Sequence, residues 1–391
     1  MRLTVFSFFT LCSFIWARDE QPNILYIFTD DQSVRSVSAY EKARSWVSTP
    51  NIDRLAKSGV RFTQCYTGTW CQPSRASALT GLLQHRLDSI KITTYPMASY
   101  DPKKLPFFPS VLRKNGYETA CIGKWHLGWS WPIPQERAKQ FKAGPNGNQV
   151  NHDTLAVWRE VFSQAIPGGP TAVGFDQYFG TDVPNWPPYC FIENERTVGI
   201  PTHYLSQSLI GNNQASKQGP ALKDWTLEPI LPTLGNRAEK YIQSRSESNS
   251  PFFIYMPLTS PHTPLSVNEA WKGKSGLGLY ADFVMETDNI VGQVVGALDK
   301  AGLAGNTLVL FTSDNGCSPE GNFDKLKEFG HDPSAGYRGH KADVYEGGHR
   351  VPFIARWPGV VEPNTVSSTV LCLTDLTRTL VAAAGGKITR H

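Results

Sequence analysis

Two adjacent acids, Asp30 and Asp31, close the apolar stretch that begins at Asn23, and Asp314 and Asn315 close a second one near residue 310. Three carboxylates and an amide oxygen form a hard, all-oxygen donor set. Such a set suits Ca²⁺, or Mg²⁺, and does not suit zinc or copper. Cationic side chains follow other apolar stretches. Lys124 and His126 come after the stretch near residue 120, and His262 after the one near 255. The segment before "VPFIARWPG" adds Arg338, His340, Lys341, Glu346 and His349. Arg75, Lys124, His126, His262 and Lys341 together suit an anion with several oxygens. A divalent cation inside a ring of positive groups makes a site for a sulfate or phosphate group. Cys71 and Arg75 lie in "CQPSR", at the opening of an expected helix.

Each residue has an ordinary reading when taken alone. Adjacent acids after a strand usually cap a turn, and Asp-Asn-Gly is a turn signal. A lone histidine is more often structural, and a lone cysteine in an exported chain is more often half of a disulfide. The coincidence carries the argument: all these groups fall at the ends of expected strands, on one side of a sheet.

The elements that must position them are legible in outline. Apolar runs of five to seven residues alternate with helical patterns. Examples are "TPNIDRLAKSGVRFTQCY", read as helix, Gly59 and strand, and "FPSVLRKNGYETACIGKW", read the same way around Gly116. A long helix is expected from Tyr280 to Ala301. This alternation predicts an α/β fold with a large, mostly parallel central sheet and helices on both faces. Ligands in such folds sit beyond the carboxyl ends of the strands. Residues 129–234 break the pattern, being rich in Pro, Gly, Asn and Trp, and are expected to form a loop-rich insertion where substrate is selected.

The 391-residue chain is 40% hydrophobic and 18% charged, with a formal net charge of +4. It has no long Lys/Arg run, so nucleic acid is not implied. Residues 1–17 read as a secretory signal peptide, predicting an exported, periplasmic or secreted protein. No other stretch is long and apolar enough to suggest a membrane span. Cysteines 65, 71, 121, 190, 317 and 372 lie beyond the leader, and their spacing fixes no pairing.

At this level of detail the chain resembles the type I sulfatases of the alkaline phosphatase superfamily, from about Asn23 onward. The family's modification signature is matched by "CQPSRASALTG", with Gln72 at a position usually taken by a small residue. The second signature is matched by "GYETACIGKWHLG", and "SPHTPL" and "TSDNG" add to it. The resemblance implies that Cys71 is a precursor, oxidised to formylglycine by a separate formylglycine-generating enzyme that reads Cys71, Pro73 and Arg75 before folding. A hydrated aldehyde carries two hydroxyls on one carbon. One attacks the sulfur of the ester; the other, once deprotonated, collapses to the aldehyde and expels sulfate. The resemblance further implies Asp30, Asp31, Asp314, Asn315 and modified Cys71 as Ca²⁺ ligands. Arg75 and Lys124 would hold the hydrate, and Lys124, His262 and Lys341 the sulfate oxygens. His126 is the implied base, and His262, ahead of Lys341, the acid for the leaving alcohol.

The expected activity is therefore hydrolysis of sulfate monoesters, with a sulfated sugar or an aryl sulfate as substrate. The alternatives are a phosphodiesterase or phosphonate monoester hydrolase of the same superfamily, or a truncated, inactive relative. The last arises because the small C-terminal subdomain usual in the family is expected to be missing or incomplete, leaving 22–391 as the catalytic domain. His85, His340 and His349 are held in reserve as substrate contacts. Trp125, Trp129 and Trp186 are candidates for stacking on the leaving group, with ordinary packing the stronger reading for them.

Overall fold

A computed structural model describes residues 21–41, 47–87, 100, 101, 103–141, 150–210 and 216–387. The expected leader lies outside these residues. Thirteen strands are described: β1 (Asn23–Thr29), β2 (Val60–Tyr66), β3 (Glu118–Ile122), β4 (Gln177–Gly180), β5 (Ile192–Glu193), β6 (Arg196–Thr197), β7 (His203–Leu205), β8 (Gly219–Ala221), β9 (Phe252–Pro257), β10 (Thr307–Ser313), β11 (Arg350–Arg356), β12 (Thr365–Ser367) and β13 (Leu371–Cys372). The α-helices are α1 (Pro50–Lys57), α2 (Cys71–Thr80), α3 (Phe108–Lys114), α4 (His152–Ser163), α5 (Ile230–Gln243), α6 (Leu279–Lys300), α7 (Phe323–Glu328), α8 (Glu346–His349) and α9 (Leu373–Ala383).

The central sheet runs β12-β2-β11-β10-β1-β9-β3-β4-β5-β6, with β13 also paired to β2. Strands β10, β1, β9, β3 and β4 are mutually parallel. Strand β1 shows why both faces are covered. Ile24, Tyr26 and Phe28 enter one buried cluster with residues of α2, α3 and α9, while Leu25 and Ile27 enter another with α1, α5 and α6. A strand buried on both faces reads as a continuous apolar run, which is how β1, β9 and β10 appear in the sequence.

Two features refine the sequence reading. Strand β11, the "VPFIARW" segment, runs antiparallel to both β10 and β2. Its beginning, not its end, therefore lies at the carboxyl edge of the parallel strands, and the loop before it reaches the same edge. In addition, β4, β5 and β6 come from within residues 129–234, so this stretch completes one side of the sheet as well as supplying loops.

Candidate active site

The carboxyl edge is stitched by backbone hydrogen bonds that fix where the functional side chains emerge. The Asp30 N–H donates to the Ser260 carbonyl at 3.0 Å, Asp314 N–H to Thr29 at 3.1 Å, and Lys124 N–H to Pro257 at 2.7 Å. Gly123 makes the last contact possible. Its φ is 144°, and a Cβ there would lie 1.9 Å from the Pro257 oxygen. The glycine of the Gly-Lys-Trp-His motif is thus a close backbone approach that turns Lys124 into the site. The loop carrying Lys341 is held between neighbours, with Lys341 N–H donating to Cys317 at 2.9 Å and Ala342 N–H to Thr69 at 2.8 Å.

These constraints gather the expected set in one place. The Cys71 thiol faces Asp30 Oδ1 at 3.3 Å and Asp31 Oδ1 at 4.0 Å. Lys124 Nζ is 2.6 Å from Asp30 Oδ2. Arg75 Nη2 donates to Asp314 Oδ2 at 2.9 Å and lies 3.4 Å from Asp30 Oδ2. Lys341 Nζ reaches both Asp31 oxygens, at 2.7 and 2.9 Å. His262 Nε2 is 3.7 Å from Asp31 Oδ2, while Nδ1 contacts the Thr263 carbonyl. A carbonyl only accepts, so Nδ1 carries a hydrogen and Nε2 is the nitrogen turned toward the cluster.

Three carboxylates face three permanent cations, Arg75, Lys124 and Lys341, in a cluster almost sealed from water. Burial pushes the Asp30 pKa up, but Lys124, then His262, Arg75 and Lys341 outweigh it and hold Asp30 well below the usual carboxylate range. Burial and then the Asp30 charge push Asp314 up to about 7. Burial, followed by Asp30 and Asp314, raises the Cys71 thiol, so at neutral pH it carries its proton and is a poor nucleophile. Burial and Lys124 depress His126, and burial and Lys341 depress His262.

The donor set suits a hard divalent cation. Single donor atoms of Asp30, Asp31, Cys71 and His262 lie within 4.8 Å of one another. Asp314 joins them through its contact with the Asp31 N–H at 3.0 Å. Asn315 donates to Asp31 Oδ1 at 2.6 Å and to Gly316 O at 2.8 Å, and its own Oδ1 is buried with no hydrogen-bond partner. An orphaned buried oxygen beside three carboxylates is what an oxygen-binding cation satisfies.

A cavity of about 290 Å³ opens onto the cluster and is lined by Cys71, Lys124, His126, His262, Lys341 and, among others, Trp70, Asn185, Trp186, Glu320 and His340. His126 has a φ of 57°, and neither of its ring nitrogens has a hydrogen-bond partner. Its ring meets Trp186 edge-on at 5.4 Å.

Of the reserve residues, His340 and Trp186 reach this cavity. His85 is exposed and does not line it, and His349 bonds the Val344 carbonyl at 2.9 Å instead. Trp125 and Trp129 are each 1% exposed and belong to the core. Asn185, Trp70 and Glu320 escaped the sequence reading. Asn185 follows β4, whose four residues are too short to signal a strand. The polar Thr181-Asp182 pair just after it repeats the pattern seen at β1 and β10, and was the available clue. All six described cysteines are free thiols. No described helix is long and apolar enough to cross a membrane.

Comparison with known proteins agrees with this geometry. The Sulfatase family profile matches residues 22–386. An N-acetylgalactosamine-6-O-sulfatase of Bacteroides thetaiotaomicron is 31% identical over 382 residues, covering 88% of this chain and 69% of the relative. An N-acetylgalactosamine-6-sulfatase of Sus scrofa is 29% identical, covering 94% of this chain and 63% of the relative. The chain thus spans about two thirds of the length of these relatives. A solved structure from work on glycosaminoglycan metabolism by Bacteroides thetaiotaomicron superimposes with a TM-score of 0.78 at 29% identity, over 95% of this chain and 78% of that one. The sheet, the clustered acids and cations, and a match spanning nearly all the described residues lead to one conclusion: the chain belongs to the sulfatase family.

Proposed function

We propose that this protein hydrolyses sulfate monoesters of sugars, and that Cys71 is the precursor of the reacting group. The observation that carries the reading is the convergence of Cys71, three carboxylates and a ring of cations on one cavity. The sugar half rests on the two N-acetylgalactosamine 6-sulfatases among the relatives.

Asp30, Asp31, Asp314, Asn315 and the side chain made from Cys71 are the residues that would hold a divalent cation, with Ca²⁺ the first choice and Mg²⁺ the second. When bound, such an ion lowers the pKa of a hydroxyl beside it and offsets negative charge that builds up on sulfate oxygens. Lys124 and Arg75 brace the Asp30 and Asp314 carboxylates, so their geometry is set before substrate arrives. Lys341 and His262 stand on the Asp31 side and would bind sulfate oxygens. His262, once protonated on Nε2 as well as Nδ1, would pass the Nε2 proton to the leaving alcohol. His126, which lines the cavity with Cys71 and has both ring nitrogens unpaired, would take a proton from the side chain at position 71.

Every residue of α2, Cys71 and Arg75 included, is buried. A formylglycine-generating enzyme would therefore need to act before the chain closes. That order agrees with export through a leader at residues 1–17 and with a catalytic domain from residue 22, in which residues 129–234 frame the substrate.

The first test is the peptide mass across Trp70 to Arg86 in exported protein. Conversion of Cys71 lowers it by roughly 18 Da and creates an aldehyde that reacts with hydrazine probes. The second is turnover of 4-nitrophenyl sulfate against the corresponding phosphate diester and phosphonate. An intact thiol in a host that modifies other such chains, or faster turnover of the phosphorus esters, would overturn the reading.

A further inference from the structure

The alcohol half of the ester also needs a binding partner, and the cavity wall contains an unpaired amide. Asn185 lines the cavity and is 1% exposed. Both its Nδ2 and its Oδ1 are buried without a hydrogen-bond partner. Its backbone, by contrast, is held from two sides. The Asn185 carbonyl accepts from Tyr189 Oη at 2.7 Å and from Lys217 N–H at 3.0 Å. The loop before it is tied to the segment that follows β3, since His126 N–H donates to the Asp182 carbonyl at 3.1 Å. The next residue, Trp186, packs edge-on against His126.

A rigidly held, buried amide with neither of its groups paired is costly, because each group has given up its hydration and gained no partner in return. Buried side-chain amides are almost always paired, so an exception beside a binding cavity calls for a partner. An amide offers one acceptor and a donor group, and it is neutral. On the sulfatase reading the sulfate would face Lys124, His262 and Lys341, which line the same cavity, so a neutral amide is better matched to the uncharged part of the ester.

The geometry points to Asn185 as a specificity-determining residue that pairs with a hydroxyl or acetamido group on the sugar carrying the sulfate. This rests on the sulfatase reading and deepens it: the cavity selects sugar sulfates over aryl sulfates that lack such a group. Pairing the amide recovers a penalty that an aryl ester would leave in place, and sites built around buried polar groups discriminate strongly for that reason.

The test compares wild type with Asn185→Leu, which keeps the number and branching of side-chain heavy atoms, has no polar atoms and can extend its bulkier methyl groups into the cavity, and with Asn185→Ala as a second variant. The first readout is kcat/KM on N-acetylgalactosamine 6-sulfate divided by kcat/KM on 4-nitrophenyl sulfate. The expected result is a fall in this ratio by about tenfold or more in both variants. The second readout uses protein with unmodified Cys71. N-acetylgalactosamine 6-sulfate should raise the melting temperature of wild type more than that of either variant. The third is stability without sugar, where Asn185→Leu should melt no lower than wild type because it removes unpaired groups.

An unmoved ratio would overturn the inference, and so would an Asn185→Leu variant that melts lower or fails to fold, since the amide would then be serving the scaffold or an ordered water. If the wild type cleaves neither ester, the sulfatase reading fails, and the melting comparison still decides whether Asn185 contacts the sugar.

Discussion

Lys341 gives the sharpest prediction, because its two proposed duties respond oppositely to removal. Its ammonium lies 2.7 and 2.9 Å from the Asp31 oxygens, with the side chain 11% exposed. At such a separation and an effective dielectric near 20, the attraction is about 6 kcal/mol before desolvation is counted. Breaking a buried pair by removing one partner typically costs about 3–5 kcal/mol. Lys341→Met keeps the length of the side chain and removes its charge, so about 3 kcal/mol of stability should be lost in chelator. With an unfolding entropy near 2 cal/mol/K per residue, that loss lowers the melting temperature by about 4 °C. A divalent cation would neutralise the stranded Asp31 carboxylate, so the same substitution should tighten cation binding. About 3 kcal/mol corresponds to roughly a 100-fold gain in affinity. Turnover of sulfate esters should fall at the same time, since a sulfate contact is gone. Calorimetric titration with Ca²⁺ and melting curves with and without EDTA test both signs. Weaker Ca²⁺ binding in Lys341→Met, or equal melting in EDTA, would refute the charge balance derived for the cluster.

Other outcomes follow from separate parts of the molecule. EDTA should abolish turnover, with Ca²⁺ or Mg²⁺ restoring it. Better rescue by Zn²⁺ would contradict an oxygen-donor site. Gly123→Ala forces a Cβ to within 1.9 Å of the Pro257 oxygen at a φ of 144°, and should cost about 3 kcal/mol in chemical denaturation while misplacing Lys124. His331 supplies a pH test away from the cluster. Burial, then Arg35, lowers its pKa to about 3, below the unfolded value of roughly 6.5. The unfolded chain therefore binds the proton more readily, and this contribution to stability is full above about pH 6.5 and lost as the pH falls. At pH 4.5 the loss is roughly 2–3 kcal/mol. In His331→Leu, the drop in unfolding free energy from urea titrations between pH 7 and pH 4.5 should shrink by that amount; an unchanged drop would mean that His331 is not buried in its neutral form.

What could be read in the sequence, and what could not, divides along physical lines. Asp30, Asp31, Asp314, Asn315, Lys124, His126 and His262 were legible because each follows a strand buried on both faces. Such strands appear as unbroken apolar runs, and the polar residues after them mark the carboxyl edge. The direction of β11 was not legible, because alternation and apolar content are the same for parallel and antiparallel strands. Yet its reversal is what brings Lys341 to the site: a parallel β11 would have carried the preceding loop to the opposite edge. Asn185 was hidden for a different reason. Strand β4 has only four residues, and its hydrogen bonds to β3, a tertiary fact, are what bring the segment after it beside His126. The short runs of sequence thus report the groups proposed to act on the sulfate. Asn185, proposed to face the rest of the substrate, is brought there by pairing between distant segments, and the Thr181-Asp182 pair after β4 is its one local trace.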